Sequence, residues 1–231
     1  MSRHAVAVGV PAGDATGGTR PWGAAAAILA AACGLALVLA FSGAPVSALV
    51  NSWFPSDSPE VQSALFSAYY FVLGVLTTIW WPRRFGWQLG TVLQEWRLLL
   101  GLAGLLAAVG LGFVLLGGPI PFHDFPWSQF TLVPFTEEAL FRGLFYTGIL
   151  ALLRRAGWGP RATALTVALS AVAFGLAHSA NYLYYPAGFV TFQIVEAMLL
   201  GALLGWTRAR TGSIYPAIGL HALLNFVTNV F

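Results

Sequence analysis

Seven apolar runs follow one another along this chain, each near the roughly 20 residues that cross a bilayer. They are Trp22–Phe41, Val61–Trp81, Leu98–Leu116, Phe130–Leu153, Thr163–Ala180, Ala187–Thr207 and Ile214–Phe231. Hydrocarbon offers no water to satisfy backbone N–H and C=O groups, so each run must close its own hydrogen bonds as a helix. The chain is 58% hydrophobic and 8% charged, whereas soluble domains carry about 25% charged residues. The expected fold is therefore all-α, a polytopic transmembrane bundle of about seven helices. Residues 1–21, rich in Gly, Ala and Thr, read as a mobile tail. Residues 22–129 hold the N-terminal transmembrane helices, and residues 130–231 form a second unit that carries the chemistry. The first run exceeds the 7 to 15 residues of a signal-peptide core and reads as a retained span.

The placement of arginine orients the bundle. All 11 basic residues are arginine. Arg3 and Arg20 precede the first run; Arg83, Arg84 and Arg97 fall between the second and third. Arg154, Arg155 and Arg161 follow the fourth, and Arg208 and Arg210 the sixth. The alternate connections, Ser42–Glu60, Gly117–Gln129 and Asn181–Pro186, hold no arginine and only Asp57, Glu60, His123 and Asp124 as acidic or histidine residues. The positive-inside rule then puts the N-terminus and every arginine-bearing segment in the cytoplasm. Arginines dispersed in this way make no patch for nucleic acid. Cys33 has no partner for an internal disulfide and belongs to no Cys-x-x-Cys pattern.

Small residues recur every fourth position at Gly104, Ala108 and Gly112 and again at Ala197, Gly201 and Gly205. That spacing is expected to let helix backbones approach closely.

Against this background, polar residues inside the runs stand out. A charge at membrane depth costs about 2.5 to 3.5 kcal/mol on insertion scales, so it is read first as functional. In Pro134-Phe-Thr-Glu137-Glu138-Ala-Leu-Phe-Arg142, Pro134 suits a first helical turn, and Glu137 would share that turn and its favourable dipole. Residues four apart share a helix face, so Glu138 is expected to pair with Arg142. Glu137 is left as a free carboxylate able to act as general base. In Phe174-Gly-Leu-Ala-His178, the phenyl ring shares a face with the imidazole and can wall a pocket. His221 and Asn225 share a face of the last helix and offer two hydrogen-bond donors, as an oxyanion hole requires. Glu196, with Gln193, either lines the cavity or pairs with Arg142. His123 and Asp124, in a proline-rich loop, read as solvated.

Glu-Glu-x-x-x-Arg, Phe-x-x-x-His and His-x-x-x-Asn, in that order from Glu137 to Asn225, resemble the CAAX prenyl protease and bacteriocin-processing (CPBP, ABI) family of intramembrane endopeptidases. The resemblance covers about the last hundred residues. It implies cleavage of a membrane-anchored protein or lipidated peptide inside the bilayer, with residues 130–231 as the catalytic domain. Carried over residue by residue, Glu137 would activate water, His178 would orient it, and His221 with Asn225 would hold the oxyanion. Glu138, Arg142 and Phe174 would support them. The family has been labelled metalloprotease, yet the chain has no His-Glu-x-x-His. A zinc ion, if bound, would fall to His178, His221 and Glu137. The His221–Asn225 pairing suits an oxyanion hole better, so a glutamate mechanism without cofactor is favoured. A proton-coupled transporter would also bury such charges, but would show interrupted helices in matched repeats. A non-catalytic immunity or scaffold protein would be expected to lose one of the motifs. The expected location is a bacterial-type cell membrane, crossed several times.

Overall fold

The computed structural model describes residues 22–53, 67–116 and 127–230. The tail at 1–21 and the loop residues Asp57, Glu60, His123 and Asp124 lie outside the described residues. Among the described residues all regular structure is helical. The helices are α1 (Trp22–Trp53), α2 (Ser67–Thr78), a single turn α3 (Pro82–Phe85), α4 (Trp96–Leu115), α5 (residues 132–155), α6 (Ala162–Leu176), α7 (Ala187–Thr211) and α8 (Tyr215–Val230). The seven longer ones correspond to the seven apolar runs.

Among the described residues four segments are long and apolar enough to cross a membrane: Trp22–Ser42, Trp96–Leu115, Gly159–Leu183 and Ala187–Thr211. α8, at 16 residues, is shorter. Leu93, Leu100, Leu105, Val109, Leu115 and Leu199 all point outward. An all-helical chain with so apolar an exterior is an integral membrane protein.

The core runs along α6 and α7, whose contact is the most extensive in the molecule. A Cβ on Gly201 would stand 3.1 Å from Ala171 Cα, and one on Gly205 would stand 3.4 Å from Val167. The Ala197–Gly201–Gly205 stripe is thus a true packing face. Gly104, Ala108 and Gly112 are not. Gly104 and Ala108 are exposed, and nothing lies within 4 Å of a Cβ added at Gly104 or Gly112. The glycine of α4 that does pack is Gly110, where a Cβ would stand 3.0 Å from Val227 of α8.

The ends of α7 and α8 follow from local chemistry. Gly212 takes a left-handed φ of 68° and its N–H caps the Arg208 carbonyl. Ser213 Oγ then accepts the Tyr215 N–H at 3.2 Å, opening α8 just before Pro216. At this end the chain is stitched together. Thr91 N–H donates to the Thr211 carbonyl at 3.0 Å, Ile214 N–H to the Gly86 carbonyl at 3.0 Å, and Arg210 pairs with Glu95 at 3.0 Å. The connections that carry Arg83–Arg97 and Arg208–Arg210 therefore meet at one end of the bundle.

α5 departs from a plain α-helix. It runs without a break through α-helical Leu132–Glu138, a π-helical stretch Ala139–Phe145 and α-helical Tyr146–Arg155. It starts at Leu132, two residues before the expected Pro134. Pro134 still lies in the first turn, where its missing N–H removes no bond. Glu137 is then the sixth residue, in the second turn, and the first-turn dipole argument does not apply to it.

Candidate active site

The site is built where the π-helical stretch of α5 faces α6, α7 and α8. π turns are uncommon and tend to mark functional places, because the extra residue re-aims side chains that a regular helix would stack. Here it begins immediately after Glu138. Arg142, within it, donates from Nη1 to Glu138 Oε1 at 3.0 Å, and both side chains are fully buried. The expected ion pair is present. It is not saturated: Glu138 Oε2 and Arg142 Nε and Nη2 have no hydrogen-bond partner.

An aromatic face offsets part of that deficit. The Arg142 guanidinium lies 4.2 Å from the centroid of the Phe174 ring. Phe174 also meets His178 edge-on at 5.2 Å, His221 at 5.8 Å and Phe141 at 5.1 Å. Its ring is the hub of the site rather than merely one wall. Gly201 of α7 makes room for this stack. A Cβ there would come within 3.2 Å of both Arg142 Nη2 and Phe174 Cδ1.

His221 joins the two adjacent carboxylates. Its Nδ1 lies 3.0 Å from Glu138 Oε1, and its Nε2 lies 4.0 Å from Glu137 Oε2. An ionised carboxylate only accepts, so Nδ1 carries the proton in that contact and Nε2 faces Glu137. All three side chains are buried. His178 Nδ1 lies 3.0 Å from the Phe174 carbonyl, four residues back, which leaves its Nε2 free to face elsewhere.

Asn225 is engaged differently from the expectation of a free donor. Its Nδ2 donates to the Gln129 carbonyl at 2.7 Å, tying α8 to the Trp127–Phe130 turn ahead of α5. One amide hydrogen is thus in use. Glu196 does not pair with Arg142, whose carboxylate partner is Glu138. Gln193 accepts from Asn181 Nδ2 at 2.7 Å at the same end of α7.

Sequence reasoning did not place two further residues. Tyr70 of α2 is buried, packs edge-on against Phe141 at 6.5 Å, and lies within electrostatic reach of Glu137. A tyrosine in an apolar run is the only sequence signal for it. Arg208, read as a loop charge, is buried, and its Nε donates to the Arg142 carbonyl at 3.3 Å. Nothing local in the sequence announces a contact 66 residues away.

A catalytic zinc of the expected type needs three side chains converging at about 2.0 to 2.2 Å. Among the described residues no three His, Cys, Asp or Glu side chains are gathered in that way. The His221 nitrogen that would serve as ligand faces Glu137 at 4.0 Å.

Residues 125–227 match the Rce1-like family, type II CAAX prenyl endopeptidase. The matched segment covers less than half of the chain and contains Glu137, Glu138, Arg142, Phe174, His178, His221 and Asn225, but not Tyr70. It agrees with the resemblance carried by the three motifs, and it supports a protease of the CAAX endopeptidase type held in the membrane. No curated protein and no solved structure matches the chain.

Proposed function

We propose that the chain is a multi-pass intramembrane endopeptidase in which Glu137 is the base that activates water. The observation that carries this reading is the position of His221 between two carboxylates. Its Nδ1–H is fixed on Glu138 at 3.0 Å, so its Nε2 is aimed at Glu137 across 4.0 Å. That gap is too long for a direct hydrogen bond. It suits one water in a bent bridge with legs of about 2.8 Å.

Such a water donates one hydrogen to Glu137 and accepts one from the Nε2–H of a His221 that carries a proton on both ring nitrogens, leaving an oxygen lone pair for the scissile carbonyl carbon. The C–O bond forms as Glu137 takes the proton. Glu137 then returns that proton to the leaving amine as the C–N bond breaks. His178 orients the water from the α6 side. The oxyanion is held by His221 and Asn225. For this, the Nε2–H of His221 shifts from the water to the carbonyl oxygen as the C–O bond forms, and Asn225 lies one turn away on the same face of α8.

Glu138 and Arg142 are the scaffold of this arrangement. Arg142 neutralises Glu138, and Glu138 sets the orientation of His221. Phe174 and Gly201 give Arg142 its seat. The substrate is a membrane-associated protein or peptide, which reaches the site laterally or at the membrane surface. Residues 130–231 are its catalytic unit, and a bacterial-type cell membrane is its setting.

The test is cleavage of membrane-anchored peptides by purified protein. Glu137→Gln keeps size and hydrogen bonding but removes the base. It is expected to abolish turnover while the melting temperature stays within a few degrees of the parent. Full activity in Glu137→Gln overturns the assignment.

A further inference from the structure

We propose that a second site, at the arginine end of the bundle, binds a phosphate group. A cavity of about 330 Å³ opens there between α5, α6 and α7, within the range of small-molecule sites. Its walls include Arg84, Arg154 and Arg208, with the hydroxyl-bearing Tyr146, Thr147 and Thr163, and no carboxylate. It shares no residue with the Glu137 cluster.

Three cations around one cavity repel one another, and each is costly to bury without a counter-charge. Yet none of the three forms an ion pair among the described residues; the pairs there are Arg142–Glu138, Arg210–Glu95 and those of His221. Arg208 is the strongest case. It is 8% exposed, and its one hydrogen bond among the described residues runs from Nε to the Arg142 carbonyl. Its guanidinium is pressed against Gly86, where a Cβ would stand 2.7 Å from Cζ. Gly86 also has a φ of 89°, so two independent features reserve that position for glycine. The guanidinium is therefore seated with care and left with unused donors. Thr147 Oγ1, in the same wall, is buried without a hydrogen-bond partner. A nearly buried arginine without an ion pair, two exposed arginines and an unpartnered hydroxyl together suit an oxyanion of high charge.

Phosphate fits better than a single carboxylate. Planar guanidinium groups bind phosphate oxygens in pairs, and three of them exceed what one carboxylate can neutralise. Arg154 and Arg208 also lie in the last turns of their helices, where the segments leave the apolar zone. That is the depth of phospholipid headgroups, and basic pockets between helices at that depth are suited to anionic ones. A phospholipid and a soluble phosphate present the same chemistry, and the experiment separates them.

Purified full-length protein in neutral detergent is titrated with phosphatidylglycerol, with phosphatidylcholine, or with inorganic phosphate against sodium chloride of equal ionic strength. The readout is the melting temperature. The comparison proteins are an Arg84→Gln/Arg154→Gln double variant and an Arg155→Gln variant, which removes a neighbouring charge outside the cavity. Arg84 and Arg154 are exposed and unpaired among the described residues, so the double variant is expected to fold. Phosphatidylglycerol should stabilise the parent and Arg155→Gln alike, and its half-maximal concentration should rise at least tenfold in the double variant. Stabilisation by inorganic phosphate with the same variant dependence identifies a soluble occupant of the same site. No response to either anion overturns the proposal. So does an equal response to phosphatidylcholine, or a response unchanged in the double variant.

Discussion

His221 on the last helix lies 3.0 Å from Glu138 on α5, across 83 residues of chain. This one contact makes the Glu138–Arg142 pair, which stands as a local feature of one helix, into the anchor of a site assembled from several. It also separates the two adjacent glutamates by role. Glu138 is fully buried and meets both Arg142 and His221 at 3.0 Å through Oε1, whereas Glu137 meets His221 only across 4.0 Å.

That division predicts different consequences for the same substitution at neighbouring positions. Glu138→Gln strands Arg142 and loosens His221, and a broken buried pair costs about 3 to 5 kcal/mol. Glu137→Gln should leave stability nearly unchanged. Both should lose activity. Thermal melts of the two purified variants decide the matter: equal melting temperatures would mean that the pair contributes little.

Phe174→Leu should be more harmful than a loss of apolar area suggests. It keeps a buried apolar group but removes the ring face from Arg142, whose Nε and Nη2 have no other partner. A desolvated cation–π contact is worth about 2 kcal/mol. A lowered melting temperature together with reduced turnover is expected; a parent-like Phe174→Leu enzyme would show that the ring serves only as filler.

Gly201→Ala places a methyl 3.2 Å from Arg142 Nη2 and 3.1 Å from Ala171 Cα. Overpacking of this kind costs about 1 to 3 kcal/mol. Gly104→Ala, with nothing within 4 Å, is the control and should be neutral or slightly stabilising. Detergent melts that rank the two the other way would contradict the packing described for α6 and α7.

Activity is expected to survive exhaustive chelation. Elemental analysis of the purified protein should find zinc well below one per chain. Stoichiometric zinc that disappears in both His178→Ala and His221→Ala would replace the glutamate mechanism with zinc-activated water.

The arginine end and the site are well separated along α5: Glu137 and Arg154 are 17 residues apart (154 − 137), roughly 25 Å at helical rise. If the arginine end is cytoplasmic, the site opens in the outer half of the bilayer and serves exported, membrane-anchored substrates. Reporter fusions after Arg155 should then read cytoplasmic and fusions after Phe231 extracytoplasmic. The reverse pattern would turn the site to the cytoplasmic face.

The residues themselves determined much of this. Hydropathy runs specify helices because the bilayer forbids unpaired backbone, and arginine spacing specifies which ends lie together. The Glu138–Arg142 pair and the Phe174–His178 face were legible because helical periodicity alone brings residues four apart together. Tertiary structure decided the rest. Two small-residue stripes look alike in sequence, yet only Ala197–Gly201–Gly205 is packed, because lipid and protein both accept an apolar face. The π-helical stretch Ala139–Phe145 after Glu138 was not read from the sequence. Asn225 finds Gln129 and Arg208 finds the Arg142 carbonyl across 96 and 66 residues. Such partners are fixed by which helix faces which, and a one-dimensional pattern does not encode that choice.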